Sequence, residues 1–480
     1  MLDAFSTLVG NISNIMYSYL LIILLLAVGL YFTIRSKFVQ LRMLGESIAV
    51  VGERSNETGA VSSFEALMVS TASRVGTGNI VGVANAIAIG GYGAVFWMWA
   101  IAIVGGASAF VESTLAQIYK KRDPQGGSYG GPAYYIQAAL NSRVLGVIFA
   151  GTLIVTYAGG FNMLASFNMV DSMSSYEFYH TATVLVQGEQ RSLVPLVGGA
   201  ILALLVAVCA LGGGRRIVKV TSVLVPVMGV LYVMMALVVM VMNIGMLPGV
   251  IANIFMAAFD FKAIFGGFAG SAMMQGIKRG LYSNEAGVGS APNAAAAANV
   301  SHPVKQGLVQ MLSVFIDTIL ICTATAMMCL CTGIVPSEQL KGAPFVQQSL
   351  ATVFGVVGPY FVTFALLLFA FTTLLGNLFY CEGCLNYIAN RTLGKRAMTT
   401  FRVIACLVVF VGAQLNFGLV WDLADVLMGI MALINLPVIV ILGSTAIRSL
   451  DDYVTQKKMG KNPVFKAESI QLKQKTDFWN

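Results

Sequence analysis

The sequence predicts an all-α, polytopic membrane protein of about 11 transmembrane helices, arranged as a 5+5 inverted repeat with two discontinuous helices and one extra N-terminal helix. Three observations predict it. The 480 residues are 57% hydrophobic and only 10% charged, far below the roughly 25% charge of soluble domains. Apolar runs long enough to cross about 30 Å of hydrocarbon recur along the chain. Two of those runs carry clusters of glycine and polar residues in their middles.

The runs fall at about 15–34, 64–89, 94–119, 144–170, 192–211, 217–243, 262–298, 304–333, 353–380, 400–416 and 419–447. The first is a retained span: Asp3 and no Lys or Arg precede it, and Arg35 and Lys37 follow it, the reverse of a cleavable signal. Gly, Pro and charge clusters such as Gly212-Gly213-Gly214-Arg215-Arg216 mark the connections. The chain reads as one domain, with 15–34 as the extra helix, 64–243 and 262–447 as the two repeats, and 448–480 as a polar, lysine-rich tail. Basic residues set the orientation: alternate connections and the tail hold 23 Lys and Arg, the others only Arg191, Lys262 and Lys341. Positive loops stay inside, so the N-terminus is expected outside and the C-terminus in the cytoplasm.

The second run reads STASRVGTGNIVG at its centre, with Gly76, Gly78 and Gly82 beside Thr77 and Asn79. The seventh holds Gly266, Gly267, Gly270, Gly276, Gly280 and Gly287 among Gln275, Lys278, Arg279, Asn284 and Glu285. With the first run set aside, ten remain, and each set of five opens on a broken helix of opposite direction. That pattern belongs to transporters whose site lies between inverted repeats. A broken helix frees N–H and C=O groups that hydrocarbon cannot satisfy, so the break must line a cavity. Free N–H groups suit a carboxylate and free carbonyls suit a cation. Close helix packing explains isolated pairs such as Gly105-Gly106, but not the polar groups around Gly78. A dinucleotide loop fits poorly, because no strand precedes the glycines.

Several classes drop out. The basic residues form no stripe interleaved with aromatics, so nucleic acid is not a partner. The seven cysteines lie mostly in apolar runs, and Cys381 and Cys384 form a lone CxxC without a second pair. His180 and His302 are the only histidines, both in connections, and no catalytic motif accompanies them, so no enzyme is expected. No pore loop resembles a channel filter.

The stretches STASRVGTGNIVGVANAIAIGGYGAVFWMW, ESTLAQIYKKRD, GGPAYYI and GIKRGLYSNEAGVGSAP resemble the alanine or glycine:cation symporter family, also called the sodium:alanine symporter family. The resemblance spans runs two to eleven. It implies the fold of the bacterial leucine transporter and uptake of a small neutral amino acid, alanine, glycine or a relative, coupled to Na⁺ or to H⁺. The setting it implies is a plasma membrane, that of a bacterial inner membrane by family habit, with a monomer among lipid. A same-fold carrier of a nucleobase or betaine is the nearer rival.

By that resemblance the N–H groups of Thr77 and Gly78 hold the substrate carboxylate beside Asn79, and carbonyls near Ala72 and Val75 face Na⁺. Thr372 and Thr373 would add hydroxyls to that ion, although threonines in helices commonly bond back to their own carbonyls. Ser271, Gln275, Phe167 and Asn168 complete the candidate substrate contacts. Where many relatives carry Gln-x-Asn, this chain has Ser166-Phe167-Asn168, which leaves the exact amino acid open. Arg74 has two readings: a built-in substitute for a second cation, or an ionic partner of Glu112 or Glu285 at a gate. Asp317, Asp422 and Asp425 are candidate proton relays, with Asp317 the strongest, and Asn284-Glu285-Ala286-Gly287 is expected at a gate or helix end.

Overall fold

A computed structural model describes residues 2–53, 60–123, 127–186, 189–259, 271–335, 337 and 340–479. Each of the 11 apolar runs is helical over most of its described length, the second and seventh with interruptions at residues 75–76 and 285–291. In chain order the helices are α1 (Ala4–Arg35), α2 (Leu44–Val51), α3 (Ser63–Arg74), α4 (Gly78–Gly90), α5 (Gly93–Ile118), α6 (Pro132–Leu140) and α7 (Arg143–Ser175). They continue with α8 (Val194–Ala210), α9 (Gly214–Met242), α10 (Leu247–Ala258), α11 (Ala272–Asn284), α12 (Pro292–Ala297) and α13 (Pro303–Leu330). The last four are α14 (Gly342–Phe354), α15 (Val357–Ala389), α16 (Lys395–Gly412) and α17 (Phe417–Lys458). Among the described residues, seven (α1, α5, α7, α9, α13, α15 and α17) are long and apolar enough to cross a membrane, with α4, α8 and α10 as shorter apolar helices.

Local chemistry explains the ends. Ser62 and Glu65 close a reciprocal capping box at the start of α3, and proline opens α6, α12 and α13, where its missing N–H costs nothing. Packing explains the middle. α5 is buried along most of its length and packs on α1, α11, α13 and α17. Small residues set those approaches: a Cβ on Gly280 would fall 2.5 Å from Ile101, and one on Gly307 2.2 Å from the Thr114 hydroxyl. Outward, Leu204 and Val241 are 66% and 68% exposed, apolar surface suited to lipid.

The basic connections gather on one face. There Arg143 reaches Asn390, Lys305 bonds Glu53, and Lys121 pairs with Asp477. The opposite face is tied by Ser175–Gln347 and Tyr176–Thr363. Lys262, Gly266, Gly267 and Gly270 lie outside the described residues.

Among the described residues the second interruption falls at the end of the cluster that the sequence singles out, at Glu285 and Gly287. Gly276 and Gly280 sit inside continuous α11, where they let it press on α5; a Cβ on Gly276 would meet the Ala94 carbonyl at 2.3 Å. The break comes later, from Glu285 to Ala291, where Glu285, Gly287 and Gly289 take positive φ of 53°, 82° and 91°. The tail differs from the sequence expectation, since residues 459–479 fold onto the basic face and bury Phe465 and Trp479.

Candidate substrate and cation site

The first break is where the sequence places it. α3 ends at Arg74, Val75 leaves helical geometry with ψ 83°, and α4 starts at Gly78. First-turn N–H groups of a helix have no intrahelical acceptor, so Thr77 and Gly78 present theirs at the break. The helix resumes with a π-type stretch, Gly78–Gly82. Similar stretches occur at Val155–Phe161 in α7 and Phe315–Cys322 in α13. Each adds a local bulge of the kind that recurs at functional sites.

Asn79 is the hub. Its Oδ1 accepts the Gly76 N–H at 2.9 Å, and its Nδ2 donates to Asp317 Oδ1 at 2.7 Å and Ser283 Oγ at 2.9 Å. Its carbonyl accepts the Thr325 hydroxyl at 2.7 Å. Asp317, fully buried in the α13 bulge, also accepts Ser283 Oγ at 2.5 Å and Thr318 Oγ1 at 2.8 Å. Among the described residues no cationic group comes within ion-pair distance of this carboxylate. It is held by dipoles.

Thr77 Oγ1 accepts Asn168 Nδ2 at 3.0 Å, while Asn168 Oδ1 has no hydrogen-bond partner. Phe167 is nearly buried in the hydrophobic core. Over Gly78 lies Tyr282, whose Cε1 would be 2.2 Å from a Cβ at that position. Phe161 and Trp421 hold the Tyr282 ring at centroid distances of 4.8 and 5.2 Å. Glycine is therefore required at 78 by the close approach of Tyr282.

Of the two threonines, only Thr373 reaches the first broken helix. Its hydroxyl donates to the Ala72 carbonyl at 3.1 Å, and its Oγ1 would be 2.4 Å from a Gly76 Cβ. Thr372 turns away, donating to Leu368 and Phe369 carbonyls at 3.0 and 3.2 Å. The adjacent positions on α15 point about 100° apart, so one faces α3 and the other does not.

Ser271 and Gln275 do not join the cluster. Ser271 caps α11 by accepting the Met274 N–H at 3.2 Å, and Gln275 packs on Gly90 at the far end of α4. Twelve helical residues separate Gly90 from Gly78, about 18 Å.

Arg74 forms neither expected ion pair. It is 2% exposed, its Nη1 donates to the Gln310 carbonyl at 3.2 Å, and Nε and Nη2 have no hydrogen-bond partner. Glu112 instead holds the second break: Oε1 accepts the Gly287 N–H at 3.3 Å and Oε2 accepts Asn435 Nδ2 at 2.8 Å, which also donates to the Gly287 carbonyl at 2.9 Å. Glu285 accepts Ser290 Oγ at 2.5 Å.

The half away from the basic face carries the opposite arrangement. Asp425 receives Arg279 through both oxygens at 3.1 Å and Lys278 at 2.9 Å. Lys278 also donates to Ser13 of α1 at 2.9 Å, and Arg279 stacks on Trp421 at 4.3 Å. The extra helix thus contributes to a buried charge cluster above the aromatic layer.

Sequence reasoning missed Tyr282, Ser283 and Asn435. Asn435 left a signal, a lone amide in the apolar run GIMALINLPVIV; Ser283 left none.

Comparison with known proteins agrees with this architecture. The model of the sodium:alanine symporter family matches residues 2–467. The amino-acid carrier protein AlsT of Bacillus subtilis is 43% identical over 99% of this chain and 98% of its own. The sodium/alanine symporter AgcS of Methanococcus maripaludis is 37% identical over 90% and 93%. Among solved structures, MhsT in complex with L-phenylalanine superposes with TM-score 0.51 at 14% identity, covering 89% of this chain and 95% of that one. That likeness carries the fold alone, the leucine-transporter type. The helical fold with its paired breaks, the match along the chain and the relatives agree: this is a multi-pass membrane transporter, not an enzyme, and it belongs to the sodium:alanine symporter family.

Proposed function

We propose that the chain is a secondary active symporter that takes up a small neutral amino acid, alanine, glycine or a close relative, together with Na⁺. The observation that carries the reading is the first break, where unwound backbone at Val75–Thr77 lies beside the buried Asp317 carboxylate and its Asn79 and Ser283 partners. The substrate carboxylate takes the N–H groups of Thr77 and Gly78. Tyr282, Phe161 and Trp421 close over the site and limit side-chain size. Na⁺ prefers hard oxygen ligands, offered by the Ala72 and Val75 carbonyls, Thr373 Oγ1 and, at a second position, Asp317. Sodium that stabilises the substrate-binding state raises substrate affinity, and the coupling is reciprocal. The basic face is cytoplasmic, the chain works as a monomer in the plasma membrane, and residues 64–243 and 262–447 are the two repeats.

A second reading is favoured by one observation. Asn168 Oδ1 is buried without a partner beside Thr77, an acceptor that a substrate amide would satisfy. A relative 43% identical over 98% of this chain is the probable sodium/glutamine symporter GlnT of Bacillus subtilis. Proton coupling is the alternative for the ion.

The test is uptake of labelled alanine, glycine and glutamine into proteoliposomes, with an inward Na⁺ gradient set against K⁺ at equal membrane potential. Sodium-driven accumulation of one of the three is expected. Accumulation that follows only a proton gradient would overturn the sodium assignment, and none of the three moving would overturn the substrate class.

A further inference from the structure

The basic face holds more than a polar tail. Residues 462–479 lie across the ends of α5 and α13 and the link between α12 and α13, and are tied to each. Phe465 N–H donates to the Ser301 carbonyl at 2.9 Å, Ser301 Oγ to the Pro463 carbonyl at 2.8 Å, and Lys305 Nζ to Asn462 Oδ1 at 2.8 Å. Trp479 is 7% exposed, stands edge-on to Phe465, and donates its Nε1–H to the Gln117 carbonyl at 2.9 Å. Asp477 pairs with Lys121 at 2.8 Å.

What these contacts hold is the exit of the second broken helix. Gln117 Nε2 and Lys120 Nζ both donate to the Ala298 carbonyl at 2.9 Å, an orphan of the last turn of α12. Lys120 is 3% exposed, and its ammonium lies 4.5 Å from the Phe478 ring centre and 5.3 Å from that of Trp479. Aromatic faces stabilise a desolvated cation, so the two rings keep Lys120 on that carbonyl. One residue on, Asn299 N–H donates to the Val61 carbonyl at 2.9 Å, just before α3. The start of the first broken helix and the end of the second are therefore joined at a point that the rings of Phe478 and Trp479 cover.

We propose that residues 462–479 are a strap on this gate: they position Lys120 and Gln117 on the end of α12 and so set how often this face opens. The role rests on the transporter reading given above, but its test does not need transport. Cys384 on α15 supplies the reporter, being 1% exposed with its Sγ 3.8 Å from Asn293 Oδ1 of α12. Movement of α12 uncovers it. In full-length protein in nanodiscs, with the other six cysteines changed to alanine, a bulky polar maleimide reads opening as the labelling rate of Cys384. Trp479→Ala should raise that rate at least fivefold, and Trp479→Phe, which keeps a ring over Lys120, should stay within about twofold of the parent. Phe478→Leu, at a more accessible position, should give an intermediate rise and carries the test if Trp479→Ala does not fold. Melting within about 5 °C of the parent separates opening from unfolding. Labelling of both Trp479→Ala and Phe478→Leu at the parent rate, or a rise accompanied by loss of the melting transition, would overturn the strap. Strap-dependent labelling in a protein that moves no amino acid would instead refute the transport reading and leave the strap standing.

Discussion

Gly78 offers the sharpest single perturbation of the site. A Cβ there would lie 2.2 Å from Tyr282 Cε1 and 2.6 Å from Cδ1. Ordinary contact begins at about 3.4 Å, so Gly78→Ala requires the ring or the α4 backbone to move by more than 1 Å. The ring cannot swing freely, because Phe161 and Trp421 flank it. Overpacking of a close-packed site costs about 1–3 kcal/mol, which is about fivefold to more than a hundredfold in the population of the fitting state. Gly78→Ala should therefore lower sodium-driven uptake at least fivefold. Removing the obstacle should return part of it: Tyr282→Leu alone should weaken selectivity for small side chains, and Gly78→Ala with Tyr282→Leu should transport better than Gly78→Ala alone. A double-mutant cycle on uptake rates measures the coupling, expected at about 1–3 kcal/mol. Gly78→Ala at parental rate, or strictly additive effects, would show that the two residues are not in contact during transport and would sink the aromatic-ceiling argument.

The other predictions are briefer. Thr373→Ala should raise the half-saturating Na⁺ concentration at least tenfold, while Thr372→Ala should leave it within about threefold; equal effects would contradict the opposite directions of the two hydroxyls. Asp317→Asn keeps the shape and removes the charge, and sodium dependence of uptake should fall at least a hundredfold with the melting temperature little changed. His302, at the start of α13, is pushed down to about 4 by burial despite its contact with Asp452. Its ring nitrogens already accept from Val304 N–H and meet Asp452, so the neutral ring is satisfied and protonation breaks the first bond. The unfolded chain binds this proton below about 6.5 and the folded chain only near 4, so stability falls as pH drops through that window. At pH 5 the loss is about 2 kcal/mol, readable as a lower melting temperature that His302→Gln should flatten.

The helices and the first break were legible because hydrophobic runs and a polar Gly-Thr-Gly-Asn cluster report directly on burial in a membrane. Within the second cluster the place of the break was not legible. Six glycines compete there, and a glycine that packs against a neighbouring helix looks the same in sequence as one that unwinds its own. The residue that first takes positive φ, Glu285, is not a glycine at all. Thr372 and Thr373 were indistinguishable for another reason: helical phase relative to α3 is a tertiary fact. Ser271 and Gln275 belong to the same cluster, and only the fold shows that they lie at the end of α11 away from Gly78. The strap was hidden because a lysine-rich tail reads as solvated, and its docking depends on Phe465, Phe478 and Trp479 meeting the ends of helices far away in the chain.

The placement of buried charge separates structural groups from working ones. Asp425 faces two cations, Lys278 and Arg279, at ion-pair distance, so its charge is already answered within the protein. Asp317, Glu112 and Glu285 are buried as deeply and are answered only by amides, hydroxyls and backbone N–H groups. Dipoles orient a carboxylate but do not cancel it, and an uncancelled charge at membrane depth costs several kcal/mol. Among the described residues Arg74 is the one buried cation in that layer, and it forms no ion pair. One guanidinium cannot balance three carboxylates when all are ionised, so on the proposed transport reading the remainder would be answered by protons or by cations that enter with the substrate. On that reading Arg74 would lower the number of cations the site takes without removing the need. Arg74→Gln should then increase the steepness of sodium activation by a countable amount, whereas an Arg74 that serves only to pack α3 on α13 would lower uptake and leave the steepness unchanged.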